Sequence, residues 1–87
     1  MSGQRSTSAA CPEPELLFEF YRAHDHKMFR CELRDLGRWG VDARFFDGVD
    51  FVLGHRFESV TKDGRVISAR RLAVEWATAE REAILQG

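Results

Sequence analysis

The sequence has no long hydrophobic run, only two cysteines and only two prolines. No apolar segment approaches the roughly 20 residues that a membrane-spanning helix needs, and no charged-then-apolar leader of a secretory signal is recognisable. Cys11 stands in a polar segment, whereas Cys31 alternates with apolar residues, so a disulfide between them is not expected. We therefore expect a cytoplasmic protein with reduced thiols and no contact with a membrane.

An excess of charge of one sign is also missing. Thirteen Lys and Arg residues stand against 14 Asp and Glu residues, which gives a formal net charge of -1. The chain as a whole lacks the positive excess that drives counterion release from nucleic acid, although a local basic face remains compatible with this balance. No catalytic or phosphate-binding motif is present that would identify a reaction.

Bulky apolar residues are plentiful. The composition is 44% hydrophobic and includes seven Phe and two Trp, enough to form a core without metal or disulfide support. A chain of 87 residues makes one domain at most. Residues 1–14 are rich in Ser, Gly, Ala and Pro and lack a periodic apolar pattern, which predicts a disordered tail before a single domain at residues 15–87.

The period of the hydrophobic pattern changes near Ser68, from the two-residue period of strands to the 3.6-residue period of a helix. The first pattern predicts strands at residues 16–22, 29–34, 39–46 and 51–57. Their predicted inward residues are Leu16, Phe18, Phe20, Phe29, Cys31, Leu33, Trp39, Val41, Ala43, Phe45, Phe51, Leu53, His55 and Phe57. Asp47-Gly48 is typical of a type I′ hairpin turn, and residues 60–67 form either a second small hairpin or a loop.

The helical pattern begins after Ser68, a suitable N-cap, and continues towards Leu85. Its apolar stripe combines small alanines with Trp76, which we expect to be the large central side chain against the sheet. The sequence thus predicts an α+β domain in which a three- to four-stranded antiparallel β-meander packs against one C-terminal α-helix.

Combinations of residues that could carry chemistry are sparse. His24 and His26 could bind a divalent metal together with His55 or Cys31, but their spacing matches no known ligand set. Cys31 has apolar neighbours in register, whereas a nucleophilic thiol needs an exposed, electropositive setting. No catalytic residue, cofactor or metal ligand is predicted, and a small enzyme is only the third hypothesis, which would require a pocket holding a histidine beside a carboxylate.

The predicted outward sheet face is the strongest candidate for function. It combines arginines with aromatic residues, namely Tyr21, Arg30, Arg34, Arg44, Phe46 and Arg56. Guanidinium groups and aromatic rings contact phosphates and bases. The same face also carries Glu19, Glu32 and Asp42, which are expected to pair with arginines on neighbouring strands. The leading hypothesis is a non-enzymatic module that binds a protein partner or itself, and the alternative is a DNA-binding module.

Four short segments resemble a family of small uncharacterised bacterial proteins, which implies no assigned activity. These segments are Cys31-Glu-Leu-Arg, Trp39-Gly-Val, Arg56-Phe and Leu72-Ala-Val-Glu-Trp-Ala. In the order of its strands and helix the chain also resembles the arm-type DNA-binding domain of tyrosine recombinases and the ethylene-response-factor domain of plants. That second resemblance implies a sheet that enters the major groove, with Arg30, Arg44 and Arg56 as base or phosphate contacts.

Overall fold

The computed structural model of the protein describes residues 13–87, so Cys11 and nearly all of the predicted tail lie outside the described residues. Six strands and one long helix follow one another. They are β1 (Glu15–Arg22), β2 (Lys27–Asp35), β3 (Val41–Asp47), β4 (Asp50–Phe57), β5 (Val60–Lys62), β6 (Arg65–Ile67) and α1 (Ala69–Gln86). Strands β1 to β4 form an antiparallel sheet in chain order, and β5 pairs with β6 in a separate hairpin. This confirms the predicted α+β meander with one C-terminal helix.

Helix α1 packs on one face of the four-stranded sheet, which we call the inner face. The Ser68 hydroxyl accepts a hydrogen bond from the Arg71 backbone N–H at 3.1 Å, as expected for an N-cap. Ala69, Ala73 and Ala77 are buried against the sheet. Because an alanine side chain ends at Cβ, the helix backbone can approach the strands closely. No helix among residues 13–87 is long and apolar enough to cross a membrane.

Two β-bulges change which residues face the helix. The pairing of β1 with β2 shifts between Leu16 and Phe18, so Leu17 packs into the core while Leu16 is exposed. The pairing of β3 with β4 shifts in the same way and places Phe51 opposite Phe46. The predicted inward positions of Leu16 and Phe51 are therefore wrong, because each bulge adds one residue to a strand and reverses the alternation beyond it.

The predicted inward position of Trp39 in the third strand is also wrong. Trp39 ends a short 3-10 turn, Gly37–Trp39, and its side chain is 60% exposed. Positive φ angles at Gly37, the first residue of this turn, and at Gly40, the residue after it, bend the chain, so β3 begins only at Val41.

The two-residue turns of the β3–β4 and β5–β6 hairpins differ in type. Between β3 and β4 the two-residue loop is Gly48-Val49, and only Gly48 has a positive φ, which fits a type II′ turn rather than the predicted type I′. The type I′ geometry occurs in the β5–β6 hairpin, where Asp63 and Gly64 have φ values of 54° and 77°. Residues 60–67 therefore form the hairpin rather than the loop.

Two arginine–carboxylate pairs tie α1 to its surroundings at opposite ends. Arg70 donates two hydrogen bonds, of 2.7 and 2.8 Å, to Glu15 at the start of β1. Arg22, at the end of β1, donates to Asp25 and also to the Ile84 carbonyl in the last turn of α1, at 3.0 Å. These hydrogen bonds lower the pKa of the Glu15 and Asp25 carboxyls.

Acid should weaken this attachment of the helix. Because both carboxyl pKa values are lower in the folded protein, their stabilisation is present above the unfolded pKa of about 4 and is lost as the pH falls through the folded values. Urea unfolding at neutral and acidic pH will measure the loss. A Glu15→Gln/Asp25→Asn double variant should lose less stability on acidification than the wild type; equal losses would show that the two pairs do not contribute.

Candidate recognition surface on the outer sheet face

The strand register brings the predicted site residues together on the face opposite α1, which we call the outer face. Four rows cross it from β1 towards β4: Tyr21 and Met28; Glu19, Arg30, Phe46 and Phe51; Leu16, Glu32, Arg44 and Gly54; and Arg34, Asp42 and Arg56. The aromatic residues lie towards the end of the sheet that carries the β1–β2 and β3–β4 turns. Three of the four arginines lie in the other two rows.

Arg30 is held in place by three neighbours. Its Nε donates to the Glu32 carboxylate at 2.8 Å, and another guanidinium nitrogen donates to the Gly48 carbonyl of the β3–β4 loop. The guanidinium carbon also lies 4.5 Å from the centre of the Phe46 ring. Two hydrogen bonds and one aromatic contact thus fix the position of the Arg30 guanidinium within the protein.

The other three arginines are less occupied. Arg44 approaches Asp42 at 3.6 Å, while Arg34 and Arg56 form no ion pair with any of residues 13–87. The Nε of Arg34 is buried and has no hydrogen-bond partner within the described part of the chain. Four arginines and three carboxylates leave this face with a formal charge of +1, concentrated where Arg34 and Arg56 flank Asp42.

Exposed apolar groups lie among these charges. Met28 is 53% exposed and Phe51 is 60% exposed, and the Phe51 ring meets Phe46 edge-on at 6.1 Å. Tyr21 is also exposed, with its hydroxyl 2.6 Å from Nδ1 of His26. The outer face therefore offers both apolar and charged groups to a partner.

An open depression of about 420 Å³ lies over Gly54 on β4. Its lining includes Arg44, Phe51 and Arg56, and Asp42 lies beside them. A Cβ atom on residue 54 would stand 3.1 Å from the Phe51 ring and 3.2 Å from Arg44 Cγ. The depression therefore depends on the absence of a side chain at Gly54. Sequence reasoning did not include Gly54 or Phe51 in the site, although a glycine inside a strand is a known signal of a bulge or a close approach.

The three histidines do not converge. His24 lies 4.0 Å from Asp25, and His26 contacts Tyr21 in the same β1–β2 connection. His55 contributes to the lining of the depression, but its ring packs against Phe57 at 4.5 Å on the inner face. Among residues 13–87, no group of three or more His, Cys, Asp or Glu side chains is arranged to hold a metal ion.

Cys31 is fully buried on the inner face, and burial raises the pKa of its thiol to about 11. The neutral thiol packs with Phe45 and Ala77. It lacks the exposure and the positive surroundings that make a cysteine nucleophilic.

Native Cys31 should therefore resist thiol reagents. In a Cys11→Ser background, labelling at neutral pH should be slow in the folded protein and fast in denaturant, because only the unfolded chain exposes an ionisable thiol. Reaction with a disulfide reagent, followed over a denaturant series, will test this. Equally fast labelling of the native and unfolded protein would contradict the buried placement.

Comparison of the chain with protein-family models, with curated proteins and with solved structures gives no match. The chemistry of the outer face is therefore the basis on which a function can be proposed.

Proposed function

We propose that this protein is a non-enzymatic binding module whose outer sheet face binds a protein partner or a second copy of itself. The observation that supports the proposal is the exposure of large apolar side chains, including Met28 and Phe51, on the face that α1 leaves open. An apolar group in water gains free energy when a partner covers it, and clusters of such groups mark interaction sites.

The charges of the outer face also favour a protein partner. Arg30 and Arg44 stand beside Glu32 and Asp42, so their fields are partly cancelled at a distance. Such an arrangement attracts phosphate groups weakly, but it can match a protein surface on which charges of both signs alternate. The alternating charges set the orientation of the complex, while the apolar groups supply most of the affinity.

Affinity capture with a face variant tests this proposal. A tagged Phe51→Ser protein should lose partners that the wild type retains, because the variant removes an exposed ring from the outer face. Leu85→Ser is the matched control, since Leu85 is also exposed but lies on α1. Sedimentation of the purified proteins will show whether the partner is another copy. Identical retention and identical sedimentation for both variants and the wild type would contradict the proposal.

Nucleic acid is the second candidate, and the observation that favours it is the lack of ion pairs at Arg34 and Arg56 among the described residues. The resemblance to sheet-reading DNA-binding domains adds to this alternative. Salt titration of binding to mixed-sequence duplex DNA separates the two candidates. We expect weak binding that an Arg34→Gln/Arg56→Gln variant changes little. Micromolar binding to DNA that falls steeply with salt and is lost in the variant would show that the outer face binds nucleic acid and would contradict the protein-binding proposal.

The proposal includes no catalytic role. The depression over Gly54 is lined by both His55 and Asp42, but it is open, and the His55 ring packs against Phe57 and Trp76 on the inner face. The neighbour of the Asp42 carboxylate on the outer face is the Arg44 guanidinium, at 3.6 Å. A carboxylate beside a guanidinium is suited to the recognition of a polar or charged group more than to proton transfer.

A further inference from the structure

Building on the proposed function, we propose that the exposed edge of β4 binds an extended, acidic segment of a partner protein. The partner segment adds a strand to the sheet, and one of its carboxylates occupies the depression over Gly54 between Arg44 and Arg56. Three features of the structure support this inference: the free edge, the place of Gly54 on it, and the charge around the depression.

Strand β4 is one of the two edges of the four-stranded sheet, with β3 as its hydrogen-bonding partner. No other strand among residues 13–87 pairs with its second side. An edge of eight residues presents backbone N–H and C=O groups that an added strand can bind, which is the basis of β-strand addition. The backbone supplies affinity in such complexes, and the side chains beside it supply specificity.

Gly54 provides the position for a side chain of the added strand. Residues directly opposite one another in adjacent strands point to the same face. Gly54 belongs to the outer-face row that includes Arg44, so a partner residue opposite Gly54 also has its side chain on the outer face. Because Gly54 has no side chain, that partner side chain can turn over the glycine into the depression of about 420 Å³.

The charge around the depression selects an acidic side chain. Arg44 and Arg56 line it together with the single carboxylate of Asp42, so its formal charge is +1. Arg56 has no ion-pair partner among residues 13–87, and Arg44 is 3.6 Å from Asp42, longer than a direct hydrogen bond. A partner carboxylate would neutralise the surplus charge and accept guanidinium hydrogen bonds, which are stronger than those between neutral groups.

The opposite edge does not offer the same chemistry. Strand β1 carries Glu15 and Glu19, and Glu15 is bound to Arg70 of α1. The guanidinium of Arg22, at the end of β1, is engaged by Asp25 and by the Ile84 carbonyl. An acidic strand would meet two carboxylates and no free arginine along β1, so we assign its binding to β4.

A second copy of the chain fits the β4 edge poorly. In an antiparallel β4–β4 pair that keeps outer-face residues together, Gly54 would face Gly54, Arg56 or Phe51 of the other copy. Arg56 would add a third guanidinium to the depression, and neither Gly54 nor Phe51 would bring a carboxylate to it. The single carboxylate of β4, Asp50, lies beyond the bulge on the inner-face side, opposite Asp47. Charge complementarity therefore favours a different, acidic protein.

A short fluorescent peptide in which glutamate alternates with valine is a suitable probe for the full-length protein. Fluorescence anisotropy should show binding to the wild type and binding about tenfold weaker to Arg56→Gln, as expected for the loss of a charge-assisted hydrogen bond. Arg38→Gln is the matched control, because it removes the same charge from the exposed turn that contains Trp39. It should bind like the wild type. A peptide with glutamine in place of glutamate should bind weakly to all three proteins.

Amide hydrogen exchange locates the peptide. Addition of the peptide should slow exchange along β4 and leave β1 unchanged. Absence of binding, equal binding of the glutamate and glutamine peptides, equal effects of the Arg56 and Arg38 substitutions, or protection at β1 would each overturn the inference. Protection of β4 by raised protein concentration alone would also overturn it, in favour of a second copy.

The outcomes for this inference and for the proposed function are separable. If Phe51→Ser loses captured partners but the peptide does not bind at β4, the outer face binds partners in another way and only the present inference fails. If the peptide binds as expected but capture is unaffected by Phe51→Ser, the broader role of the outer face fails while the edge site remains.

Discussion

Replacement of Trp76 by alanine should cost about 3–5 kcal/mol of folding free energy, which is much of the stability of a small domain. Trp76 packs against both buried clusters of the inner face, one that includes Leu33 and one that includes Phe45. Its ring contacts the rings of Phe45 and Phe57 edge-on or tilted, at 5.8 Å in both cases. Trp76 is half-buried, and its truncation removes these contacts and opens a gap between the helix and the sheet.

The second tryptophan provides an internal control for this prediction. Trp39 is 60% exposed in the turn before β3, so Trp39→Ala should change the free energy of unfolding by about 1 kcal/mol at most. Urea unfolding followed by circular dichroism measures both variants without dependence on tryptophan fluorescence. Wild-type stability in Trp76→Ala, or equal losses in the two variants, would mean that the helix does not pack on the sheet as described.

Gly40→Ala should be comparably damaging, at a cost of at least about 3 kcal/mol. Gly40 has φ of 104° and ψ of -156°, a backbone conformation that residues with a side chain rarely adopt. A Cβ atom at this position would stand 2.1 Å from the Phe57 carbonyl oxygen, inside any allowed contact distance. The substitution would force the β2–β3 connection away from the end of β4.

Gly37, three residues earlier, separates the two causes of this effect. It also has a positive φ, of 65°, but no atom lies within 4 Å of the position that its Cβ would take. Gly37→Ala should therefore show backbone strain alone, about 1 kcal/mol. Thermal or urea unfolding of both variants tests the comparison. A loss in Gly40→Ala no larger than that in Gly37→Ala would show that the close approach to Phe57 is wrong.

The strands and the helix were predictable because burial imposes different periods on them. Cys31 and Leu33 alternate with charged residues on β2, so only one face of that strand can be buried. The bulges were not predictable in this way, since both occur where apolar residues are adjacent. By polarity alone, either Leu16 or Leu17 could enter the core. Leu17 is the one that does, because it packs against the cluster between the sheet and the helix.

Trp39 shows the limit of alternation at the end of a strand. Its apolar character continues the pattern that starts at Val41, but the backbone leaves the sheet between the two residues at Gly40. The pattern records side-chain polarity and carries no information on the φ angle of the glycine between them. A local backbone conformation therefore overrode the hydrophobic pattern.

The sequence also predicted which residues lie on the outer face better than which hydrogen bonds and ion pairs they form there. Alternation places Arg30 and Glu32 on one face, but it does not show that Arg30 would also reach the Gly48 carbonyl in the next hairpin. Likewise, the depression over Gly54 depends on the β4 bulge, which turns Phe51 outward. These features arise from register and turn geometry, which are settled only when the strands pair.

Under the proposed function, the residues that stabilise the fold and those that bind a partner lie on opposite faces of the sheet. The helix and the large aromatic contacts lie on the inner face, while the exposed apolar groups and the less occupied arginines lie on the outer face. We therefore expect substitutions at Met28 or Phe51 to change the proposed binding with a small effect on folding, whereas those at Trp76 or Phe45 should affect folding first.

Photo-cross-linking in the cell that produces the protein can show whether the outer face contacts another protein. A photoreactive phenylalanine analogue at position 51 samples the outer face, and the same analogue at position 85 samples the exposed surface of α1. We expect a discrete protein adduct from position 51 and none from position 85. Adducts from position 85 alone, or adducts to nucleic acid from position 51, would contradict a protein-binding outer face.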